Sequence, residues 1–260
     1  MWYTWHMLLR CPVCQKELIR NGRTAVCAGG HSFDYAKQGY LNLYLSHGGS
    51  HGDSRESVLA RTRFLRRGCY GFLKDRLKEL SELYDHSVTV DLACGEGYYT
   101  AALAGDDKYG FDLSKDALKH AAKTDPSTAY TVASIFALPF ADSSADLVTT
   151  CFAPIAKEEI IRILKPGGLF VAVTPAEDHL FELKQALYEH PYENTVDEIG
   201  FPVKEEIRIS EVMHLDHDGL MDLFAMTPYF YHTSEKDRRK LDGLDYLDVK
   251  ASFVIRICQP

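Results

Sequence analysis

The sequence predicts an α/β fold in which a small metal-binding ribbon precedes a parallel, doubly wound sheet. An apolar run at Val88–Tyr98 breaks into a glycine turn, as a buried strand does where it opens toward a ligand. Downstream of this turn, strand-like and helix-like segments alternate, which is the pattern of a parallel sheet. Near the N-terminus, three cysteines and a histidine have the spacing of metal ligands. With 260 residues, 46% of them hydrophobic, the chain can bury one substantial core and a small appendage.

The predicted metal ligands are Cys11, Cys14, Cys27 and His31, which follow a C-x2-C-x12-C-x3-H spacing. The thiolates of Cys11 and Cys14, together with the thiolate of Cys27 and the imidazole of His31, would form the closed tetrahedron that structural zinc prefers. A hairpin turn signal at Asn21-Gly22 stands where a DNA-reading finger would place its helix, so a zinc ribbon is the better description. The alternative is that these cysteines are buried and unligated in a small hairpin domain.

Cysteine usage and hydropathy predict the compartment. Seven cysteines, an odd number, favour a reducing compartment over disulfide pairing. No stretch is long enough for a membrane span, and Met1–Leu9 is too short and too weakly charged for a signal peptide. We therefore expect a cytoplasmic protein with no membrane partner.

Charge is distributed unevenly along the chain. The net charge is −8, but residues 1–80 carry thirteen Lys and Arg against six Asp and Glu, which leaves the remainder at −15. After a Gly-, Ser- and His-rich linker at 46–54, the basic residues are Arg55, Arg61, Arg63, Arg66, Arg67, Lys74 and Arg76. Together with Tyr35, Tyr40 and Tyr44 they could hold a structured RNA through phosphate contacts and base stacking. Equally, they could form the solvated face of a helix. His6, His47 and His51 have no ligand-like partners and are predicted to be solvated.

The glycine turn predicts a nucleotide-cradling loop that opens a helix. Gly95 and Gly97 allow close approach of the backbone to a ligand, whereas Thr100 replaces the third glycine of a dinucleotide fingerprint and argues against NAD. An ordinary turn without a ligand is the alternative. An acid after a single Gly-x-Gly, with another acid at the end of the next strand, resembles the arrangement by which class I methyltransferases hold S-adenosylmethionine. In that arrangement Asp112, about twenty residues after the turn, is placed to accept hydrogen bonds from both ribose hydroxyls. The predicted cofactor-binding residues in this part of the chain are Asp91, Gly95, Glu96, Gly97, Tyr98 and Asp112.

The remaining elements follow in order. Further strands are predicted at Lys108–Asp112, Tyr130–Ser134, Ala145–Thr150 and Leu169–Val173, with a helix at Ile160–Leu164 that Lys165-Pro166-Gly167-Gly168 ends. The segment Ala137–Phe140 resembles the post-strand segment that walls the adenine in such enzymes, and it is expected to do so here. Alternation at Lys204–Val212, a helix at Asp216–Ala225 and an antiparallel strand at Ala251–Ile257 complete the sheet, and the long segment from Pro175 to Pro202 is expected to help cover the active site.

Ordered motifs along essentially the whole chain carry a family resemblance. Besides the metal ligands and the glycine turn, they are Phe33–Leu43, Gly52–Ser54, Arg63–Leu65, Gly68–Tyr70, Phe152–Pro154, Lys165–Gly168, His179–Leu180, Glu182–Lys184 and Met226–Pro228. In these the chain resembles the bacterial large-subunit ribosomal RNA guanine-N1 methyltransferases of the RlmA type. The resemblance implies a Rossmann-like class I methyltransferase fold with a seven-stranded sheet, structural Zn²⁺ and S-adenosylmethionine. It also implies a homodimer that methylates a guanine in a hairpin of domain II of 23S rRNA.

The resemblance further implies cofactor contacts at Tyr70, the Gly95–Gly97 turn and His179. Ala93 departs from the family pattern, which has glycine there. Phe152 and Pro154 follow the fourth strand, where related nitrogen methyltransferases clamp the base, and a simple bend is the alternative reading. Glu158 and Glu159 are weaker candidates for accepting the N1 proton, because acids that open a helix usually serve its dipole.

The predicted domains are a zinc ribbon at 1–45, a linker with a basic helical segment at 46–84, and a methyltransferase domain at 85–260. Two other functions remain open from the sequence. One is a methyltransferase acting on a small molecule or a protein, with the ribbon as a dimer clasp. The other is a non-enzymatic, zinc-dependent RNA-binding protein whose cofactor loop has decayed, with Ala93 as its first sign.

Overall fold

The computed structural model describes residues 8–45, 55–84, 86–196 and 198–260. The predicted linker at 46–54, the Gly52–Ser54 motif and the histidines at 6, 47 and 51 lie outside the described residues. Within the described part of the chain, no helix combines the length and the apolar character needed to cross a membrane.

The N-terminal ribbon is a three-stranded antiparallel sheet. Its strands are β1 (Leu18–Asn21), β2 (Thr24–Cys27) and β3 (Ser32–Asp34). Asn21 pairs with Thr24, so the predicted hairpin turn is confirmed, and Gly22 supplies the positive φ of +63° that this tight turn needs.

The large sheet contains the predicted seven strands and one more. In chain order they are β4 (Leu41–Asn42), β5 (Val88–Leu92), β6 (Asp107–Asp112), β7 (Ala129–Val132), β8 (Ala145–Cys151), β9 (Leu164–Pro175), β10 (Val203–Asp216) and β11 (Tyr246–Cys258). Their spatial order is β10-β11-β9-β8-β5-β6-β7-β4. The last strand in the chain, β11, runs antiparallel to both of its neighbours, β10 and β9. The prediction of a doubly wound sheet with an antiparallel final strand is therefore confirmed. The eighth strand, β4, comes from the ribbon end of the chain and pairs in parallel with β7.

Helices lie between the strands and before β5. They are α1 (Arg55–Arg66), α2 (Gly71–Glu82), α3 (Lys115–Thr124), α4 (Lys157–Ile163), α5 (Phe181–Leu187), α6 (His217–Met226), α7 (Tyr229–His232) and α8 (Glu235–Arg238). Ser114 caps α3 and Asp216 caps α6 through hydrogen bonds to the backbone N–H groups of Ala117 and Gly219. After the glycine turn the chain forms only a short 3₁₀ helix at Thr100–Ala102, so the prediction of a regular helix there is wrong.

The ribbon packs into the main hydrophobic core. One cluster of buried side chains joins Leu9, Cys11 and Leu18 of the ribbon end to Phe111 and Phe140 of the sheet and its loops. The chain therefore gives the ribbon no core of its own. The ribbon and the methyltransferase part are continuous, because β4 and residues 8–11 add directly to the latter.

The segment between β9 and β10 is held by a buried lysine. Lys184 is fully buried, and its Nζ donates hydrogen bonds of 2.8 Å to the Tyr192 carbonyl and to Oδ1 of Asn194. The amide of Asn194 in turn donates to the carbonyls of Ala176 and His179, both at 3.0 Å. Because a buried charge is tolerated only when it is well hydrogen-bonded, this network fixes the backbone around His179.

Candidate active site and metal centre

The four predicted metal ligands meet at one point. The donor atoms of Cys11, Cys14, Cys27 and His31 all lie within 4.8 Å of one another. The Sγ atoms of Cys14 and Cys27 are 3.6 Å apart, and Nδ1 of His31 lies 3.5 Å from Cys27 Sγ and 3.6 Å from Cys11 Sγ. Tetrahedral zinc with Zn–S bonds of about 2.3 Å and Zn–N bonds of about 2.0 Å separates its ligands by roughly 3.5–3.8 Å. The cluster therefore fits a closed structural zinc site with Nδ1 of the histidine as the nitrogen ligand.

Two tight turns present these ligands, and one of them depends on a glycine that the sequence reasoning missed. A Cβ added to Gly29 would lie 2.9 Å from Cys14 Sγ and 3.4 Å from Nδ1 of His31, so any side chain there would crowd the metal position. The sequence Cys27-Ala28-Gly29-Gly30-His31, with two glycines between two ligands, was the signal from which this role of Gly29 could have been predicted. Burial raises the pKa of the Cys27 thiol, but hydrogen bonds from the backbone and ring of His31 outweigh it and lower that pKa to about 6. A thiolate, the form that binds zinc, is thus favoured at neutral pH.

The second site is a cleft of about 390 Å³ at the carboxyl ends of the central parallel strands. In open α/β sheets this edge is where ligands bind. The predicted residues that line the cleft are Asp91, Gly95, Glu96, Tyr98, Asp112, Phe152 and Pro154. Tyr99, Arg61 and the Ser134–Phe136 segment also line it, although they were not predicted as cofactor contacts.

Gly95 and Asp112 form the part of the cleft suited to a ribose. The Gly95 N–H donates to Oδ2 of Asp112 at 2.9 Å, and the Ser114 N–H donates to Oδ1 at 2.7 Å. A carboxylate has about four acceptor sites, and this suits Asp112 to two ribose hydroxyls. Gly95 has a φ of +55°, and a Cβ built on it would meet only Nη1 of Arg61, at 4.0 Å. The turn therefore leaves room beside its backbone for a ligand, and the cleft fits the adenosine part of S-adenosylmethionine.

Asp91 lies at the floor of the cleft between two threonine hydroxyls. Thr100 donates to Oδ2 at 2.5 Å and Thr149 donates to Oδ1 at 2.8 Å. Burial raises the pKa of Asp91 to about 6, although both hydroxyls partly oppose the shift. Thr100, which stands in place of a third glycine, thus has a structural role as a hydrogen-bond donor to this acid.

Gly97 is required for packing within the protein, and its predicted contact with the cofactor stays a prediction. A Cβ on Gly97 would lie 2.3 Å from the Tyr130 hydroxyl oxygen and 3.1 Å from Cβ of Ala121. Its φ of +77° also favours glycine. Ala93, the position where the family has glycine, adopts a φ of +55°, so the chain keeps the left-handed turn at a cost in backbone strain.

Aromatic rings form the wall on the other side of the cleft. Phe152 has a left-handed backbone with φ of +60°, and 42% of its surface is exposed. Its ring centroid lies 5.2 Å from that of Phe253, 6.3 Å from Tyr99 and 6.5 Å from Tyr70. Directly after β8, the chain therefore presents the exposed ring of Phe152, which packs on other aromatic rings.

Tyr70 and His179, the cofactor contacts implied by resemblance, lie behind this ring and are not part of the described cleft lining. His179 packs 4.8 Å from the Phe253 ring, and its Nδ1 accepts a hydrogen bond of 3.1 Å from the Ser252 N–H. Burial lowers the pKa of His179 to about 3. The imidazole is thus neutral, and its proton is on Nε2 because Nδ1 is an acceptor.

Ala137–Phe140 do not wall the cleft, contrary to the prediction. Leu138 and Phe140 are buried in the main core, and the wall is formed by Ser134–Phe136, which come earlier in the chain. Ala137–Phe140 instead line a separate cavity of about 820 Å³ between the ribbon and the sheet. Glu159 accepts a hydrogen bond from the Leu138 N–H at 2.6 Å and pairs with Arg162, so it holds this loop and does not face the cleft.

Several basic residues at the end of α1 and just after it pair with other side chains of the protein. Arg63 makes an ion pair with Asp222 of α6, whose side chain is 9% exposed, and Arg67 pairs with Asp216, the cap of α6. Arg66 lies within 3.0 Å of the His120 ring. From the sequence, these basic residues were expected either to contact RNA or to form a solvated face. The structure shows another role, because Arg63 and Arg67 attach α1 to α6.

Comparisons with known proteins agree with this arrangement. A zinc-ribbon family model described as "RlmA, N-terminal" matches residues 9–45, and a "Methyltransferase domain" model matches residues 90–172. The chain is 33% identical to the 23S rRNA (guanine(748)-N(1))-methyltransferase of Streptomyces fradiae, over 97% of this chain and 96% of that protein. It is 31% identical, over 90% of each chain, to YxjB of Bacillus subtilis (strain 168), to which 23S rRNA (guanine-N1) methylation is assigned provisionally.

One solved structure supports the fold alone. It comes from the complex between the Haloferax volcanii Trm112 methyltransferase activator and its candidate methyltransferase. The similarity has a TM-score of 0.51 and 18% identity, over 80% of this chain and 99% of that chain.

Proposed function

Because this chain belongs to the family of 23S rRNA (guanine-N1)-methyltransferases, we propose that it transfers a methyl group from S-adenosylmethionine to N1 of a guanine in 23S rRNA. The observation that carries the proposal is a sequence identity of 33% to a guanine-N1 methyltransferase over nearly the whole length of both chains, which includes the ribbon and the cofactor cleft. We further propose that the target lies in a hairpin of domain II and that the protein acts as a homodimer, as the family resemblance implies. Cysteine usage and hydropathy support the cytoplasm as its compartment.

The target guanine must leave its base pair before it can react. Its N1 lies on the Watson–Crick edge, so an enzyme reaches it only in an unpaired or flipped-out base. The exposed ring of Phe152 is the feature of the cleft that suits such a base, because an aromatic side chain can stack on the face of any unpaired base. The left-handed backbone of Phe152 supports this assignment, since strained residues gather where the geometry serves a ligand. Pro154, two residues on, completes the proposed clamp.

Catalysis in this proposal rests on positioning. S-adenosylmethionine, when bound, supplies a methyl group activated by its sulfonium charge. Asp91, Gly95, Glu96, Tyr98 and Asp112 would hold that cofactor in the cleft, and Phe152 would hold the base beside it. The cofactor would supply the methyl group to guanine N1 and leave as S-adenosylhomocysteine.

The N1 proton must be received by another group. His179 is a poor acceptor, because its pKa is lowered to about 3 and Nδ1 already accepts the Ser252 N–H. Glu159 is held by Arg162 and Leu138 away from the cleft. Neither side chain suits the proton, and we propose that solvent receives it at the mouth of the cleft, where Phe152 is 42% exposed.

The test is methyl incorporation into 23S rRNA followed by primer extension, which stops at N1-methylguanine. We expect one strong stop in a domain II transcript and none when the hairpin is deleted. Phe152→Ala should lower kcat/KM by about ten- to a hundred-fold, the loss expected from one stacked base, with cofactor affinity nearly unchanged. Tyr246→Phe, a change at an exposed ring on β11, is the matched control. Incorporation into a small molecule or protein but not into rRNA, or cofactor binding without any transfer, would overturn the proposal.

A further inference from the structure

One loop of the protein lies against both the metal ribbon and the cofactor cleft. It runs from Ala133 to Ala141, immediately after β7. Its first part, Ser134–Phe136, lines the cleft next to Asp112. Its second part, Leu138–Ala141, lies against the ribbon and α4. Any change in how the ribbon holds the second part therefore acts on a wall of the cofactor cleft.

The ribbon side of this loop is bound through the chain next to the metal ligands. The Arg10 N–H donates to the Pro139 carbonyl and the Ala141 N–H donates to the Leu8 carbonyl, both at 2.8 Å. Leu9, between these two attachments, is 2% exposed and forms an isolated β-bridge with Phe140. The first ligand, Cys11, follows Arg10 directly, so a bound metal fixes the direction of the chain that makes these contacts.

The other flank of the loop is bound by α4. The guanidinium of Arg162 donates to the carbonyls of Leu138 and Phe140, at 3.0 and 2.7 Å, and Glu159 accepts from the Leu138 N–H. The loop is thus held between two supports and belongs to no strand or helix. Loss of one support leaves backbone that must be ordered at the expense of ligand binding.

We propose that the metal-bound ribbon clamps the wall of the cofactor cleft, so that zinc and S-adenosylmethionine bind this chain cooperatively. The ribbon then has a function beyond contact with RNA. The shared core strengthens the argument, because Cys11 and Cys27 are buried in the same cluster as Phe111 and Phe140. By thermodynamic linkage, the factor by which zinc tightens cofactor binding equals the factor by which the cofactor tightens zinc binding.

The first experiment measures this factor without any enzymatic assay. The zinc-loaded full chain is equilibrated with a series of concentrations of a chromophoric chelator, with and without saturating S-adenosylhomocysteine. We expect the cofactor product to raise the apparent zinc affinity by roughly tenfold, within the 5- to 150-fold range usual for coupled sites. Equal zinc retention with and without the ligand overturns the proposal.

The second experiment separates a clamp from general unfolding. Leu9→Ala keeps all four metal ligands but removes the side chain that packs on Phe140. With zinc bound, this variant should bind S-adenosylhomocysteine about five- to tenfold more weakly by calorimetry, and its coupling factor should fall toward one. Ile19→Ala, at a 60%-exposed ribbon position, is the control and should match the wild type. If Leu9→Ala does not fold, Leu9→Val is used for the same comparison.

Wild-type affinity and coupling in a folded Leu9 variant contradict the clamp. The inference does not depend on the RNA target, since neither measurement involves RNA. Failure of rRNA methylation together with cooperative binding would reject only the proposed substrate, whereas methylation without cooperativity would reject only the clamp.

Discussion

At neutral pH, the ionised side chain of Asp91 should destabilise the fold, and an uncharged residue in its place should make the protein more stable. Burial raises the pKa of its carboxyl from an ordinary value of 3.8 to about 6. The folded chain therefore holds this proton more tightly than the unfolded chain does. The stabilisation from the protonated form is complete below about pH 4 and is lost as the pH rises through 6.

The magnitude follows from the size of this shift. A difference of about two pH units at about 1.4 kcal/mol each makes the ionised form cost about 3 kcal/mol of stability above pH 7. Asp91→Asn removes that cost, and its amide can satisfy both neighbours, because one threonine hydroxyl can donate to its oxygen while the other accepts from its nitrogen. We expect the variant to be more stable than the wild type by up to about 3 kcal/mol at pH 8, and by almost nothing near pH 4.

Urea unfolding across this pH range is the assay. Asp146→Asn is a matched control of opposite sign. Burial raises the pKa of Asp146, but hydrogen bonds from Lys165 and from the Val88 and Ser87 N–H groups outweigh it and lower that pKa. Its neutralisation should therefore destabilise the chain at neutral pH. The reasoning about Asp91 is refuted if Asp91→Asn is no more stable at pH 8, or if its advantage does not depend on pH.

The same substitution should weaken the cofactor. S-adenosylmethionine carries a sulfonium and an ammonium charge, and the ionised carboxylate at the floor of the cleft attracts both. We expect Asp91→Asn to raise the cofactor Kd by about tenfold or more at pH 8. A gain in stability combined with a loss in binding would identify Asp91 as a residue kept for function at a cost in stability.

Three further substitutions test the glycine turn and its acid. Asp112→Ala should weaken S-adenosylmethionine binding by about 1.5–3 kcal/mol in calorimetry, and unchanged affinity in a folded variant would exclude it as the ribose ligand. Ala93→Gly should raise the urea midpoint by an amount equivalent to about 1 kcal/mol, because glycine relieves the positive φ; a lower midpoint would contradict this. Gly97→Ala should destabilise the chain through the Tyr130 hydroxyl, and adding Tyr130→Phe should recover part of the loss, whereas no recovery would show that φ alone matters.

Local patterns were enough to predict the elements of the sheet and the metal cluster. The run at Val88–Leu92 is apolar or neutral except for Asp91, and it forms a fully buried strand as the pattern indicates. The metal ligands follow a spacing that is itself the geometric constraint, so the sequence carries the information directly. Both signals depend on residues close together in the chain.

What the sequence could not predict depends on distant neighbours. The packing of Gly97 against Tyr130 was not predicted, because nothing near Gly97 in the chain reveals that this ring lies beneath it. The basic face of α1 looked free because Asp216 and Asp222, its partners, come about 150 residues later. The two-residue strand β4 was missed because a pair of residues has no measurable periodicity.

The ion pairs of α1 change where an RNA-binding charge can lie. Arg63 and Arg67 hold α6 through ion pairs, and the ribbon offers further exposed basic side chains for phosphate contacts, such as Lys16, Arg23 and Lys37. A ribbon with its own core on a flexible tether would let these charges move relative to the cleft. Here β4 and the shared core join the ribbon to the sheet, so phosphates bound on the ribbon would stand at a fixed distance from Phe152. Fixed spacing of this kind lets contacts that carry no sequence information still select which guanine reaches the cleft.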